Sequence, residues 1–153
     1  MAEWSSDIAA LQADPTAKNM ADPIKVYGDL AYCEALVTLE SGVAALDTVK
    51  LVQVPAGFRL ITSLSSVVTD DAGGTATIDI GDDDDTTAAD ADRYADGLDV
   101  AAAGVDIFDA NASVARLTPY TTKKTCWIKL TFATLVTPIV GSKILVKMVF
   151  ARL

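Results

Sequence analysis

The chain has 153 residues, of which 51% are hydrophobic, and carries 12 basic against 21 acidic side chains for a formal charge of −9. One domain with a real core fits that length, and the apolar content excludes a disordered chain. The acidity argues against a phosphate backbone as partner. Histidine is absent, which removes the commonest general base and the commonest transition-metal ligand.

Residues 1–29 read as an N-terminal arm. Ser5 or Ser6 can cap a short helix, with Asp7 favourable near its start. Trp4, Ile8 and Leu11 then share one helical face, and Asp14-Pro15 stops the helix. The first residues carry acids and no basic region, which does not read as a secretory signal. No apolar run approaches the roughly 20 residues of a membrane helix, so no membrane partner is expected.

From residue 30 to 153 the period is close to two, the mark of half-buried strands. Strands are predicted over 30–39, 49–54, 58–68, 75–80, 105–108, 125–134 and 143–153. Pro55-Ala56-Gly57 predicts a tight turn that joins 49–54 and 58–68 as a hairpin. In the 125–134 strand, Cys126, Ile128, Leu130 and Phe132 share the core face. Trp127 lies on the other face, available to another subunit. In the last strand Ile144, Val146, Met148 and Phe150 face inward. Residues 88–103 read as a loop, because their aspartates and Gly97 argue against regular structure. Short strands separated by turns predict an all-β sandwich or jelly roll.

Cys33 and Cys126 are too few and too far apart for a zinc framework. Each sits in an apolar run and reads as a small buried residue; a disulfide requires that their strands be neighbours.

The densest chemistry lies in the acidic middle. Eleven of the 21 acids fall between Asp70 and Asp99, including the run Asp82-Asp83-Asp84-Asp85. Calcium takes roughly six to eight oxygens around one ion, and an EF-hand loop alternates its ligands around a central glycine and ends in glutamate. This run has neither, so it reads as a solvated acidic loop, with an ion or a basic surface as the alternative. Arg93 is the one basic residue between Arg59 and Arg116, so it must pair with a carboxylate, either locally or across a subunit seam. A nucleophile has no histidine to activate it, and no phosphate-binding glycine loop occurs. The chain reads as a non-enzyme with no cofactor. Seven of the 12 basic residues lie at Arg116 or later while the acids crowd 70–109. That split suits a head-to-tail ring, or simply lysines that blunt sheet faces and edges.

The order of these pieces resembles a known family. It runs from Val54-Pro55-Ala56-Gly57-Phe58-Arg59 through a Gly73-Gly74 turn to Ile78-Asp79-Ile80-Gly81-Asp82. Then come Asp92-Arg93-Tyr94, Gly97, Ala101-Ala102-Ala103-Gly104 and a closing apolar strand. Over residues 46–153 this resembles the head decoration (cement) proteins of tailed bacteriophages, which have a jelly-roll-like β-sandwich. The resemblance implies a homotrimer, made in the host cytoplasm, that sits on the outer surface of the virion capsid and clamps adjacent major capsid proteins. It implies shell contact through the arm, at Trp4, Ile8, Leu11 and Met20, and subunit contact at Arg93, Tyr94 and Trp127. The alternatives are a receptor- or glycan-binding jelly roll of a head fibre or tail, with Tyr94, Asp92 and Asp96 as its sugar site, and a tail or neck structural protein.

Overall fold

The computed structural model describes residues 3–5, 30–84, 90–108 and 120–152. The strands are β1 (Glu3–Ser5), β2 (Leu30–Thr38), β3 (Thr48–Val54), β4 (Phe58–Leu60), β5 (Ser66–Thr69), β6 (Thr75–Asp82), β7 (Asp90–Asp99), β8 (Gly104–Ile107), β9 (Cys126–Val136) and β10 (Lys143–Arg152). They form two sheets. Sheet I has the order β1-β3-β9-β6-β7, and sheet II the order β2-β10-β5-β8, with β4 also on β10. All pairs are antiparallel except β1 with β3.

The pairing follows one rule. β2 pairs with β10, β3 with β9, β5 with β8 and β6 with β7. The first half of the chain thus runs against the second half as one long hairpin, rolled so that successive rungs fall in opposite sheets. That is jelly-roll topology, and the expected β-sandwich is present. The acidic run sits at the tip of the rolled hairpin, where β6 leads toward β7.

Period-two sequences build the core as anticipated. Cys126, Ile128, Leu130 and Phe132 of β9 are buried, as are Ile144, Val146, Met148 and Phe150 of β10. Phe108, Leu51, Ile78, Ile80 and Leu98 complete the space between the sheets. Cys33 lies in sheet II and Cys126 in sheet I; both are buried free thiols. Burial, and after it the nearby Asp82, pushes the Cys126 thiol up to about 12, which makes it a poor nucleophile.

Three sequence expectations are corrected. First, the Pro55-Ala56-Gly57 turn does not close a hairpin: β3 lies in sheet I, whereas β4 lies in sheet II. The turn is a corner between sheets. Buried Thr122 fixes it, donating its hydroxyl to Pro55 O at 2.7 Å and accepting the Phe58 amide at 3.0 Å.

Second, the expected long strand over 58–68 is broken by a 3-10 turn, Thr62–Leu64. Both flanks pair with β10, and the break falls at Val149. Its carbonyl takes the Ile61 amide, and its own amide donates to the Ser65 hydroxyl. A side chain there does the work of a strand.

Third, residues 90–99 are not loop but strand β7. Asp, Ala and Gly are weak strand formers, yet Tyr94, Ala95 and Leu98 are all buried and reward pairing with β6. Gly97, at φ +64, accommodates the register shift, and its amide donates to Asp79 Oδ1 at 2.8 Å.

Candidate interaction surfaces

At the hairpin tip Asp82, Asp83 and Asp84 form a structural staple; Asp85 lies outside the described residues. Asp82 and Asp84 are 1% and 2% exposed, so the solvated-loop reading fails for them. Asp82 accepts the Tyr94 hydroxyl at 2.5 Å and forms an ion pair with Arg93 Nε at 3.1 Å. The Arg93 guanidinium lies over the Tyr120 ring at 3.8 Å. Asp84 accepts three hydrogen bonds, from Tyr120 Oη at 2.7 Å, the Lys123 amide at 2.6 Å and the Lys124 amide at 2.9 Å. Asp83 turns outward, where it accepts the Trp127 amide at 2.7 Å and meets Lys129 Nζ at 3.4 Å. The run therefore ties the end of β6 to residues 120–129, the entry to β9.

Electrostatics match that role. Burial pushes the Asp84 carboxyl up, but its hydrogen bonds from Lys123, Tyr120 and Lys124 outweigh burial and hold it below the usual range. Burial, then the Asp82 charge, drives the Tyr94 hydroxyl far up, so it stays a donor at all working pH. Among the described residues no group of three or more acids or cysteines is disposed to hold a metal.

The two outer faces of the sandwich differ in kind. On sheet II, Leu36, Leu145, Val68 and Val105 are cross-strand partners in succession and form one apolar row across all four strands. Leu36 is 37% exposed and Val105 66%. The next rows add Ile107 at 49% and Tyr32 at 48%, the latter beside Val149 and donating its hydroxyl to Glu34. The outward charges here are Lys143, Lys147 and Arg59 against Glu34, with Asp70 at the end of the sheet accepting the Lys143 amide.

On sheet I the corresponding row is Thr48, Thr131 and Asp79. Lys50 lies over the Trp127 ring at 5.5 Å and Lys129 is drawn to Asp83. At the β7 edge, Asp79 faces Asp92 and Asp96, both exposed. Burial first, and then those two charges, push the Asp79 carboxyl up.

The residues singled out in the sequence fall as follows. Trp4 lies in β1, extended and in register with Val49 of β3, and not on a helix. A parallel edge pairing overrides the short local helical pattern there. Ile8, Leu11 and Met20 lie outside the described residues. Arg93 and Tyr94 both turn to Asp82 of their own chain. Tyr94 is buried, so it offers no ring for a sugar to stack on, and the anticipated glycan site with Asp92 and Asp96 is lost. Trp127 is on the outer face of sheet I, as its spacing required, and half-buried. The late lysines meet part of the acidic run within one chain, since β9 lies beside β6. Sequence reading missed the sheet II row and Tyr120. Leu145 and Val149, apolar at outward positions of β10, were the available signal for the row.

No protein-family model matches the chain, and no curated protein does. Its fold is similar to that of solved phage proteins. A chain in the capsid of Ralstonia phage GP4 aligns with a TM-score of 0.72 at 21% identity, covering 99% of this chain and 98% of that one. A chain in the cyanophage Pam1 capsid asymmetric unit aligns at 0.63 and 18%, covering 92% and 99%. A chain in the acidic stable capsid of Helicobacter pylori bacteriophage KHP30 aligns at 0.53 and 16%, covering 82% and 90%. The shared feature is the fold.

Proposed function

We propose that this chain is a structural, non-catalytic component of a bacteriophage head, and specifically a decoration protein on the outer surface of the capsid. The observation that carries the reading is the two-way, near-complete fold match to a chain of a phage capsid, 99% of this chain against 98% of that one. The neighbour is a sandwich of the same size, with no further domain to account for the likeness. In this reading the chain is a homotrimer made in the host cytoplasm. Its arm, residues 1–29, reaches across adjacent major capsid proteins with Trp4, Ile8, Leu11 and Met20. Contact made only with assembled subunits shifts the equilibrium toward the intact shell. Many copies reinforce one another, because loss of one leaves the rest in place.

Two measurements test this. Purified chain mixed with capsids that lack it should co-sediment, and capsids so treated should resist heat better; failure to bind any capsid form of the phage that encodes it overturns the reading. Deleting residues 1–25, which removes edge strand β1 together with the rest of the arm, should abolish binding while circular dichroism still shows the remaining sandwich folded. Binding that survives the deletion would show that the arm is not the anchor.

A further inference from the structure

The outer face of sheet II poses a physical problem. An apolar row of Leu36, Leu145, Val68 and Val105 crosses the whole sheet and ends on β8, a short edge strand. Edge strands of isolated proteins usually carry charge, because an apolar edge invites pairing. A contiguous exposed apolar stripe flanked by charges marks a surface that is covered in the working assembly.

The charges decide what covers it. The chain is strongly acidic, at −9 overall, yet this face presents Lys143, Lys147 and Arg59 against Glu34, with Asp70 beside Lys143. Lys147 is in register with Glu34 and Lys143 lies beside Asp70, so the face holds three cations against two anions and is slightly positive on a chain of −9. The β7 margin of sheet I has the opposite sign: Asp92 and Asp96 are exposed on β7, and Asp79 of β6 is tied to that strand by the Gly97 amide at 2.8 Å. Each copy therefore carries an apolar face of slightly positive balance and, on the opposite sheet, an acidic margin that gains by receiving cations.

We infer that the outer face of sheet II is the self-association surface of this chain, and that it seats head to tail on the acidic β7 margin of a second copy. A contact between two different patches is heterologous. With a suitable rotation it closes a ring, which is the symmetry a trimer requires. The inference rests on the homotrimer of the proposed function but not on its binding to a shell, so it is tested in solution without capsids.

The experiment is native mass spectrometry and multi-angle light scattering of the full chain and four variants, with thermal unfolding as the control for folding. Wild type should be oligomeric at micromolar concentration. Val105→Lys, at an exposed position, should weaken association by about tenfold or more with unfolding unchanged. Lys147→Glu alone and Asp96→Lys alone should each dissociate the oligomer. The two reversals combined in one chain should restore it, because each contact again joins opposite signs. A monomeric wild type overturns the inference. So does an oligomer that Val105→Lys leaves intact. Dissociation by Val105→Lys with no response to Asp96→Lys also overturns it, since that result belongs to a two-fold contact between sheet II faces.

Discussion

The two outer faces of the sandwich are built from the same alternating strands and behave as opposites. On sheet II the outward row is Leu36, Leu145, Val68 and Val105; on sheet I it is Thr48, Thr131 and Asp79. Inward positions on both are mainly apolar, with Thr69 of β5 and Asp82 of β6 as polar members. The inward set is what folding requires, so it cannot distinguish the sheets. The outward sets are free of that requirement, and their difference is the trace of what each face meets.

Sheet I is itself divided. At the tip of β6, Asp84 is held by three donors. Partway along the strand, Asp79 faces two further aspartates. The first acid stabilises the folded chain, whereas burial and then its acidic neighbours disfavour the charged form of the second.

The largest effect expected within one chain comes from Asp84→Ala. It leaves two part-buried amides and the Tyr120 hydroxyl without their acceptor, and should cost about 2 kcal/mol in urea unfolding. A loss well under 1 kcal/mol would mean that water replaces the carboxylate and that the staple is not structural. Tyr94→Phe is next. It removes one hydrogen bond to buried Asp82 without opening a cavity, and should cost about 1.5 kcal/mol by the same measurement.

Acid should separate Asp79 of β6 from Asp84 just beyond its end. The folded pKa of Asp84 is lowered, so its contribution is complete above the unfolded value of about 4 and is lost as pH falls through the folded value. Asp79 has a raised folded pKa, so its contribution is favourable below the unfolded value and is lost as pH rises through the folded one. Urea midpoints from pH 7 to pH 3 should therefore fall less for Asp84→Asn than for wild type. An identical slope in both would remove Asp84 from the acid response.

Asp79→Asn keeps the acceptor for the Gly97 amide and removes the repulsion. It should be neutral or stabilising by roughly 0.5 kcal/mol at pH 7. A clear destabilisation would show that its charge is needed in the isolated chain. The smallest effect belongs to the sheet II row. Leu36→Lys should change unfolding by no more than roughly 0.5 kcal/mol, because the site is exposed. A large loss would mean that the row supports the fold and is not reserved for a partner.

Much of this was legible in the residues. Strand alternation identified the buried sets of β9 and β10, both cysteines as interior, and Trp127 as outward. The jelly-roll class followed from short strands and turns, together with the resemblance to decoration proteins. The acidic run was misread because adjacent aspartates look solvated until their donors are known. Those donors, Tyr120 and the Lys123 and Lys124 amides, come from a segment some forty residues away in sequence. Strand β7 was misread because propensity is local, while its stability comes from pairing with β6 and from burying Tyr94, Ala95 and Leu98.

The sequence by itself determined which side of each strand faces the core, because a period of two encodes inside against outside and nothing more. Only the tertiary structure decided which strands are neighbours. That step turned Pro55-Ala56-Gly57 into a corner between sheets, gave Asp82 and Asp84 their partners, and aligned Leu36, Leu145, Val68 and Val105 into one row. Lateral order arises from pairing between distant halves of a rolled hairpin, and no local pattern carries it.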